Sequence, residues 1–364
     1  MSIVQALHDS PWRGVFHVTG GGASLLADLL AVPGASRTLL DASIPYANQA
    51  LADLLGQTPE QASSTATARA LAMAAYQRAR TFGGHDHFGL GCTASLVTDR
   101  TKRGKTRAHW AIQTAQATHA FYLELNPQFG RSEQEQTLVT GMLDSLASAL
   151  LGEPSKALQA QSQSLTAIPD WQPLLNDAPY RWCSGDHDGL LLLPGSFNPL
   201  HAGHQQMMDV AEQITGRRGA FELTLRNADK PELDYLSVQE RIAAITDRQV
   251  WLTNQATFSA KAELFPNTTF VLGTDTMKRI GETRFYHHSE QERDAAVQRL
   301  QALNIEFLVL GRAENDNFVT LEDLALPDAL RQMCQSVPES VYRNDLSSSR
   351  IRADHEISTS DSQE

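Results

Sequence analysis

Residues 189–209, GLLLLPGSFNPLHAGHQQMMD, constrain this chain more than any other stretch. Leu190–Leu193 form the short apolar run expected of a buried strand. The run stops at Pro194-Gly195, passes through Ser196, Phe197, Asn198 and Pro199, and reaches His201-Ala202-Gly203-His204. Helical spacing then takes over, with Met207, Met208, Val210 and Ala211 set among polar residues. A strand, a glycine turn and a helix start carrying histidines at i and i+3 form an anion site. Backbone N–H groups and the positive helix end attract phosphate there.

A chain of 364 residues has room for two or three domains, each able to bury its own core. No apolar run is long enough to span a bilayer, and MSIVQALHDSPWRG lacks the basic-then-apolar pattern of a signal peptide. Cys92, Cys183 and Cys334 are far apart and odd in number, so they suggest neither a disulfide framework nor a metal cluster. A reducing, cytoplasmic setting is expected, with no membrane partner. The net charge of −12 argues against nucleic acid as the main partner, which would need a basic face. A small phosphorylated substrate needs only one local basic cleft.

Residues 1–151 read as one α/β layer domain. Its expected strands are Gly14–Val18, the apolar run Thr38–Pro45, Phe88–Val97 and Ala108–Thr114. Its expected helices are Ala23–Ala31, Gln49–Leu55, alanine-rich Thr65–Arg80 and amphipathic Leu138–Leu151. Residues 152–188 read as a connector, part of which packs on a neighbouring domain. From 189 to 352 strands are expected at Gly189–Pro194, Ala220–Leu225, Val250–Thr253, Thr269–Leu272 and Glu306–Leu310. Helices are expected at Gly203–Thr215, Ser237–Ile245 and Phe258–Leu264. This alternation predicts a Rossmann-like parallel sheet with ligands at the strands' carboxyl ends. Residues 353–364 are polar and acidic, the composition of a disordered tail. No internal repeat is evident.

The second domain resembles the HxGH nucleotidyltransferase superfamily, through His201-Ala202-Gly203-His204 in GSFNPLHAGH. Leu346-Ser347-Ser348-Ser349-Arg350-Ile351-Arg352 matches that superfamily's serine-rich helix start, and Val271–Met277, VLGTDTM, is similar to the Gly-x-Asp segment of nicotinate and nicotinamide mononucleotide adenylyltransferases. The resemblance implies that an acceptor phosphate oxygen attacks the α-phosphorus of a nucleoside triphosphate. Catalysis is then mostly positioning and charge neutralisation. It also implies that His201 and His204 donate to the triphosphate, while Gly195, Ser196, Phe197, Asn198 and Gly203 shape its cradle. Ser347, Ser348, Ser349 and Arg352 would hold the outer phosphates, with Arg350 at a variable position. Mg²⁺ would arrive with ATP, with no all-protein metal site. The two histidines could instead be zinc ligands, but no third ligand stands at motif spacing; the serines could be an ordinary N-cap.

For the acceptor, the resemblance points to Asn227 and Lys230, and to Gly273 and Asp275 for nucleotide groups. A solvated turn lysine is the competing reading of Lys230. Those relatives stack the pyridine ring on a tryptophan beyond the Gly-x-Asp segment; Phe285 and Tyr286 stand there instead. The serine-rich ending favours ATP over CTP. Nicotinamide or nicotinate mononucleotide is the expected acceptor, a phosphopantetheine-type substrate the alternative, and a non-catalytic nucleotide-binding scaffold the reading from another class.

Residues 14–150 resemble the CinA-type nicotinamide mononucleotide deamidase domain through Thr19-Gly20-Gly21, Pro33-Gly34-Ala35-Ser36 and Tyr46-Ala47-Asn48. Ser36 and Tyr46 keep the positions of the nucleophile and its tyrosine partner. The lysine base expected three residues after Asn48 is Leu51, and the family's Gly-Pro-Gly-Gly loop is replaced by Cys92–Thr98 and the basic run Arg100–Arg107. A serine without a base is a poor nucleophile. The resemblance therefore implies a degenerate domain with a vestigial Ser36–Tyr46 site, one that can still self-associate. A helix or turn serine is the plain reading of Ser36, and His85-Asp86-His87 reads as a polar turn.

Overall fold

Two sheets carry the fold, each in its own unit: Met1–Gln172 with Asp229–Val238, and Pro173–Ala228 with Gln239–Glu364. The computed structural model describes residues 2–99, 104–154, 160–226, 232–314 and 317–344.

In the first unit the elements run α1 (Ile3–Asp9), β1 (Arg13–Thr19), α2 (Ser24–Ala31), β2 (Leu39–Ser43), α3 (Asn48–Leu55), α4 (Thr65–Arg80), β3 (His87–Ser95), β4 (Arg107–Thr114), β5 (Ala117–Glu124), α5 (Arg131–Leu151) and β6 (Gln161–Thr166). The sheet order is β2-β1-β3-β4-β5-β6, parallel from β2 to β3 and antiparallel beyond. β1 is buried on both faces. Phe16 and Val18 join Leu25, Leu29, Leu138 and Met142, while Val15 meets Ala75 and Ala79 of α4. The alanines of α4 let it lie almost on β3, where a Cβ on Gly89 or Gly91 would come within 2.2–2.3 Å of α4 backbone atoms. Residues 232–238 return to this unit: Arg69 pairs with Asp234 at 3.4 Å, and the Tyr235 hydroxyl donates to Ala115 O at 2.7 Å.

The remaining elements are β7 (Arg181–Cys183), β8 (Leu191–Pro194), α6 (Ala202–Thr215), β9 (Ala220–Thr224), α7 (Tyr235–Ala243), β10 (Val250–Thr253), α8 (Phe258–Leu264), β11 (Thr269–Gly273), α9 (Thr274–Gly281), α10 (Glu290–Ala302), β12 (Glu306–Leu310), β13 (Arg312–Glu314), β14 (Asn317–Val319), α11 (Asp328–Arg331) and β15 (Cys334–Val337). The second sheet runs β15-β12-β11-β8-β9-β10-β7, parallel except for β7. Chain order runs away from β8 in both directions, which puts the topological switch point between β8 and β11. Phe270, Phe307, Val309, Met277, Val297 and Leu300 form its core. Fully buried Glu222 on β9 is neutralised there by Lys261 at 2.5 Å and accepts from the Thr253 hydroxyl at 2.5 Å.

This is the α/β architecture expected, with strands and helices beyond those read from the sequence. α5 begins at Arg131 rather than Leu138 because its first turns are polar and are held by Glu133, which accepts from Gly130 N–H at 2.8 Å. β6 is a polar, largely exposed edge strand without apolar alternation. α10 buries only Val297 and Leu300, too few to mark a helix by periodicity. In the stretch read as a connector, β6 pairs into the first sheet and β7 into the second.

Candidate functional site

Past Pro194 the turn is held from two sides. Gly195 N–H donates to Glu222 O at 3.0 Å, extending the β8–β9 ladder, and Arg241 Nη1 on α7 donates to Ser196 O at 2.7 Å. Phe197 follows with φ of 44°, its ring buried against Phe221, with centroids 5.0 Å apart. A Cβ on Gly195 would sit 2.6 Å from that ring, so the turn requires glycine. The Asn198–Pro199 peptide is cis, and His201 caps α6.

The two histidines lie against one another, with ring centroids 3.9 Å apart and planes 30° from parallel. Phe197 supports the His204 ring edge-on at 5.2 Å. The His201 backbone N–H donates to His204 Nδ1 at 3.3 Å. Because Nδ1 accepts, neutral His204 carries its proton on Nε2. Burial, helped by neighbouring His201, lowers the His204 pKa to about 4, and burial lowers that of His201 as well. At pH 7 this helix start therefore presents neutral imidazoles. His201 Nδ1 is buried and has no hydrogen-bond partner among the described residues.

Gly203 lies under His201: a Cβ there would meet the ring at 3.0 Å and Asn344 Oδ1 at 3.2 Å. The Tyr342 hydroxyl donates to Gly203 O at 3.3 Å, and Asn344 Nδ2 donates to Gln206 Oε1 at 2.6 Å. The segment leading to the serine run is thus fastened to α6. Ser347, Ser348, Ser349, Arg350 and Arg352 lie outside the described residues, as do Asn227 and Lys230.

Gly273 ends β11, the strand next to β8, and opens α9. The nearest atom to a Cβ built there is 3.9 Å away, so the fold itself does not demand glycine. Asp275, in the first turn of α9, is ion-paired with Arg312, which opens β13. The buried Thr274 hydroxyl oxygen has no partner among the described residues. Beyond α9 the Tyr286 hydroxyl donates to Ile280 O at 3.0 Å, and the Arg284 guanidinium lies 4.5 Å over the Phe285 ring. Arg241, Arg312 and Tyr342 are contributions the sequence did not announce, because each acts on a residue between 37 and 139 positions away.

In the first unit Thr19-Gly20-Gly21 closes β1, with Gly20 at φ 77° and Thr19 Oγ1 donating to Pro45 O at 3.0 Å. This turn and Tyr46 line a cavity of about 460 Å³. Ser36 is exposed on the short 3₁₀ turn Ala35–Arg37 and is not among the cavity's lining residues. Leu51 is 3% exposed and packs with Leu55 and Leu71, so the position of the missing lysine is part of an apolar core.

Residues 192–354 match the cytidylyltransferase-like family model. This part of the chain is a nucleotidyltransferase domain of the HxGH superfamily. No curated protein matches the chain in sequence. Among solved structures, the chain is similar to the competence/damage-inducible protein CihA from Agrobacterium tumefaciens, at 20% identity over 41% of this chain and 91% of that one, with a TM-score of 0.34. It is also similar to a competence or damage-inducible protein from Enterobacter asburiae, at 16% identity over 41% and 93% with a TM-score of 0.34. A CinA superfamily protein from Escherichia coli shows 15% identity over 40% and 85% with a TM-score of 0.33. Among the described residues no three metal-ligating side chains come together, and no helix is long and apolar enough to cross a membrane.

Proposed function

We propose that the nucleotidyltransferase domain transfers AMP from ATP to a phosphorylated acceptor, nicotinamide or nicotinate mononucleotide. The observation that carries this reading is the neutral His201–His204 pair at a helix start beside the switch point. An acceptor phosphate oxygen bonds to the α-phosphorus as the bond to the bridging β-phosphate oxygen breaks, and pyrophosphate leaves. His204 Nε2–H and His201 donate hydrogen bonds to phosphoryl oxygens as charge builds on them, and the α6 dipole adds to the effect. Neutral donors hold the triphosphate without the proton loss a cationic histidine would risk near pH 6.5. Gly203 and Gly273 would give phosphate and sugar room to approach, and Asp275, held by Arg312, would meet nucleotide hydroxyls. Ser347–Ser349 and Arg352 would grip the outer phosphates, and Asn227 and Lys230 the acceptor.

Mg²⁺ fits this arrangement as a partner of ATP: a triphosphate supplies most of its oxygen ligands, so the lack of a carboxylate cluster among the described residues is no obstacle. Bound there it would neutralise phosphate charge. We read the first unit as lacking deamidase activity and as a platform for self-association. Three free cysteines suit work in the reducing cytoplasm.

The test is incubation with Mg²⁺, each of ATP, CTP, GTP and UTP, and either mononucleotide or phosphopantetheine, followed by measurement of pyrophosphate and adduct. ATP-dependent dinucleotide formation is expected. CTP preference or turnover only with phosphopantetheine would replace the substrate assignment, and tight ATP binding without pyrophosphate would leave a scaffold.

A further inference from the structure

The glycine turn after β1 has the shape of an anion site, yet the chain fills it itself. The N–H groups of Gly22 and Ser24, at the start of α2, donate to the Glu135 carboxylate on α5 at 2.8 and 3.0 Å. The donors a phosphate would use are committed, and a phosphate placed there would face a carboxylate of like charge. Arg131, one turn before Glu135, also lines the cavity and keeps its charge, but its two terminal nitrogens donate to Val97 O and Gly20 O, which ties the guanidinium fork to the rim.

The rest of the wall is of another character. Ile44 and Tyr46, on the segment after β2, are 51% and 67% exposed and stand beside Val18 in the lining. An exposed aromatic ring next to an exposed branched aliphatic residue is a stacking platform for a flat ring. Ser24 and Ser132 add hydroxyls of the kind that meet a sugar or an amide. The volume of about 460 Å³ falls within the range that encloses small molecules.

We propose that this cavity binds a ring-bearing molecule of nucleoside size that carries no phosphate, with Glu135 acting as the built-in anion that excludes phosphorylated forms. The inference does not rest on nucleotidyl transfer in the second unit.

Calorimetric titration of the full chain with three matched pairs tests it: adenosine and AMP, cytidine and CMP, nicotinamide riboside and its mononucleotide. The binding component to follow is the one lost in Tyr46→Ala and kept in Tyr46→Phe and His204→Ala, which separates this cavity from the second unit. At least one nucleoside is expected to bind in this Tyr46-dependent way, at least tenfold tighter than its 5′-monophosphate. Glu135→Gln, checked for an unchanged melting curve, should narrow that ratio to threefold or less. A monophosphate that binds as tightly as its nucleoside through Tyr46 overturns the proposal. So does the absence of any Tyr46-dependent binding, or an unchanged ratio in folded Glu135→Gln. If Glu135→Gln does not fold, the matched pairs on the native chain still decide between the first two outcomes.

Discussion

Removing the His204 side chain tests the proposed site at its centre, and the ring's one free donor and lowered pKa set what to expect. His204 Nδ1 is occupied by the His201 N–H, so the one donor the ring has to give is Nε2–H. Losing a preorganised donor to a developing oxyanion costs about 10²–10³ in kcat, roughly 2.7–4 kcal/mol. His204→Ala should show that loss with the fold intact, and His204→Gln, whose amide reaches near Nε2, should recover part of it. With a pKa of about 4, His204 stays neutral from pH 7.5 to 5.5. An ordinary histidine would be only about one-tenth neutral at pH 5.5. The assay is pyrophosphate release with ATP, Mg²⁺ and mononucleotide, expressed as the wild-type to His204→Ala ratio of kcat/KM at each pH. That ratio cancels the acceptor phosphate's own titration and should stay flat across the range. A ratio falling about tenfold toward pH 5.5 would refute the neutral-donor argument, and turnover of His204→Ala within twofold of wild type would refute the site.

Acid should weaken the fold in a defined window. Burial lowers the pKa of His17, His87, His109, His119, His201 and His204, so below pH 6.5 the unfolded chain binds more protons than the folded one. Stability should therefore fall as pH drops from 6.5 toward 4, and a melting temperature flat from pH 7 to 5 would contradict this. Lys261→Met strands the buried Glu222 carboxylate and should cost about 3–5 kcal/mol, read by thermal melting, with the Glu222→Leu/Lys261→Met pair recovering most of it. Leu51→Lys restores the lysine of the CinA-type motif but puts an ammonium among Leu55 and Leu71. It should destabilise by about 3 kcal/mol or more and give no Ser36-dependent ammonia from nicotinamide mononucleotide. Gly203→Ala presses a methyl 3.0 Å from the His201 ring and should raise KM for ATP at least tenfold with little change in melting temperature.

What the sequence made legible was whatever depends on near neighbours. The leucine run, the turn and the histidine spacing of 190–204 lie within one strand–helix junction, and the expected strand and helix stand there within two residues of their predicted bounds. Thr65–Arg80 and Val250–Thr253 match their predicted limits because each carries its own periodicity or apolar run. What escaped depends on distant partners. β6 becomes a strand only because β5 offers it a ladder, with His119 opposite Ser164. The low pKa of His204 needs the burial supplied by Phe197 and its neighbours, which no spacing reveals. Glu135 is an ordinary helix glutamate in sequence, and only folding brings it to Gly22 and Ser24, more than a hundred positions away.

Two of the chain's strand–glycine–helix junctions, at α2 and at α6, differ in their electrostatics. At α2 the N–H donors end on a carboxylate from the chain's own α5, so the positive helix end is already neutralised. At α6 the side chains nearest the helix start are two imidazoles that burial keeps uncharged, leaving the dipole and the Nε2–H donor uncompensated by any anion among the described residues of that turn. A polyphosphate gains from the second arrangement and loses from the first. That asymmetry argues for confining phosphate chemistry to the nucleotidyltransferase domain, even though both junctions begin from the same local pattern of strand, glycine and helix. Both junctions share strand, glycine and helix; a single glutamate from a third element separates them.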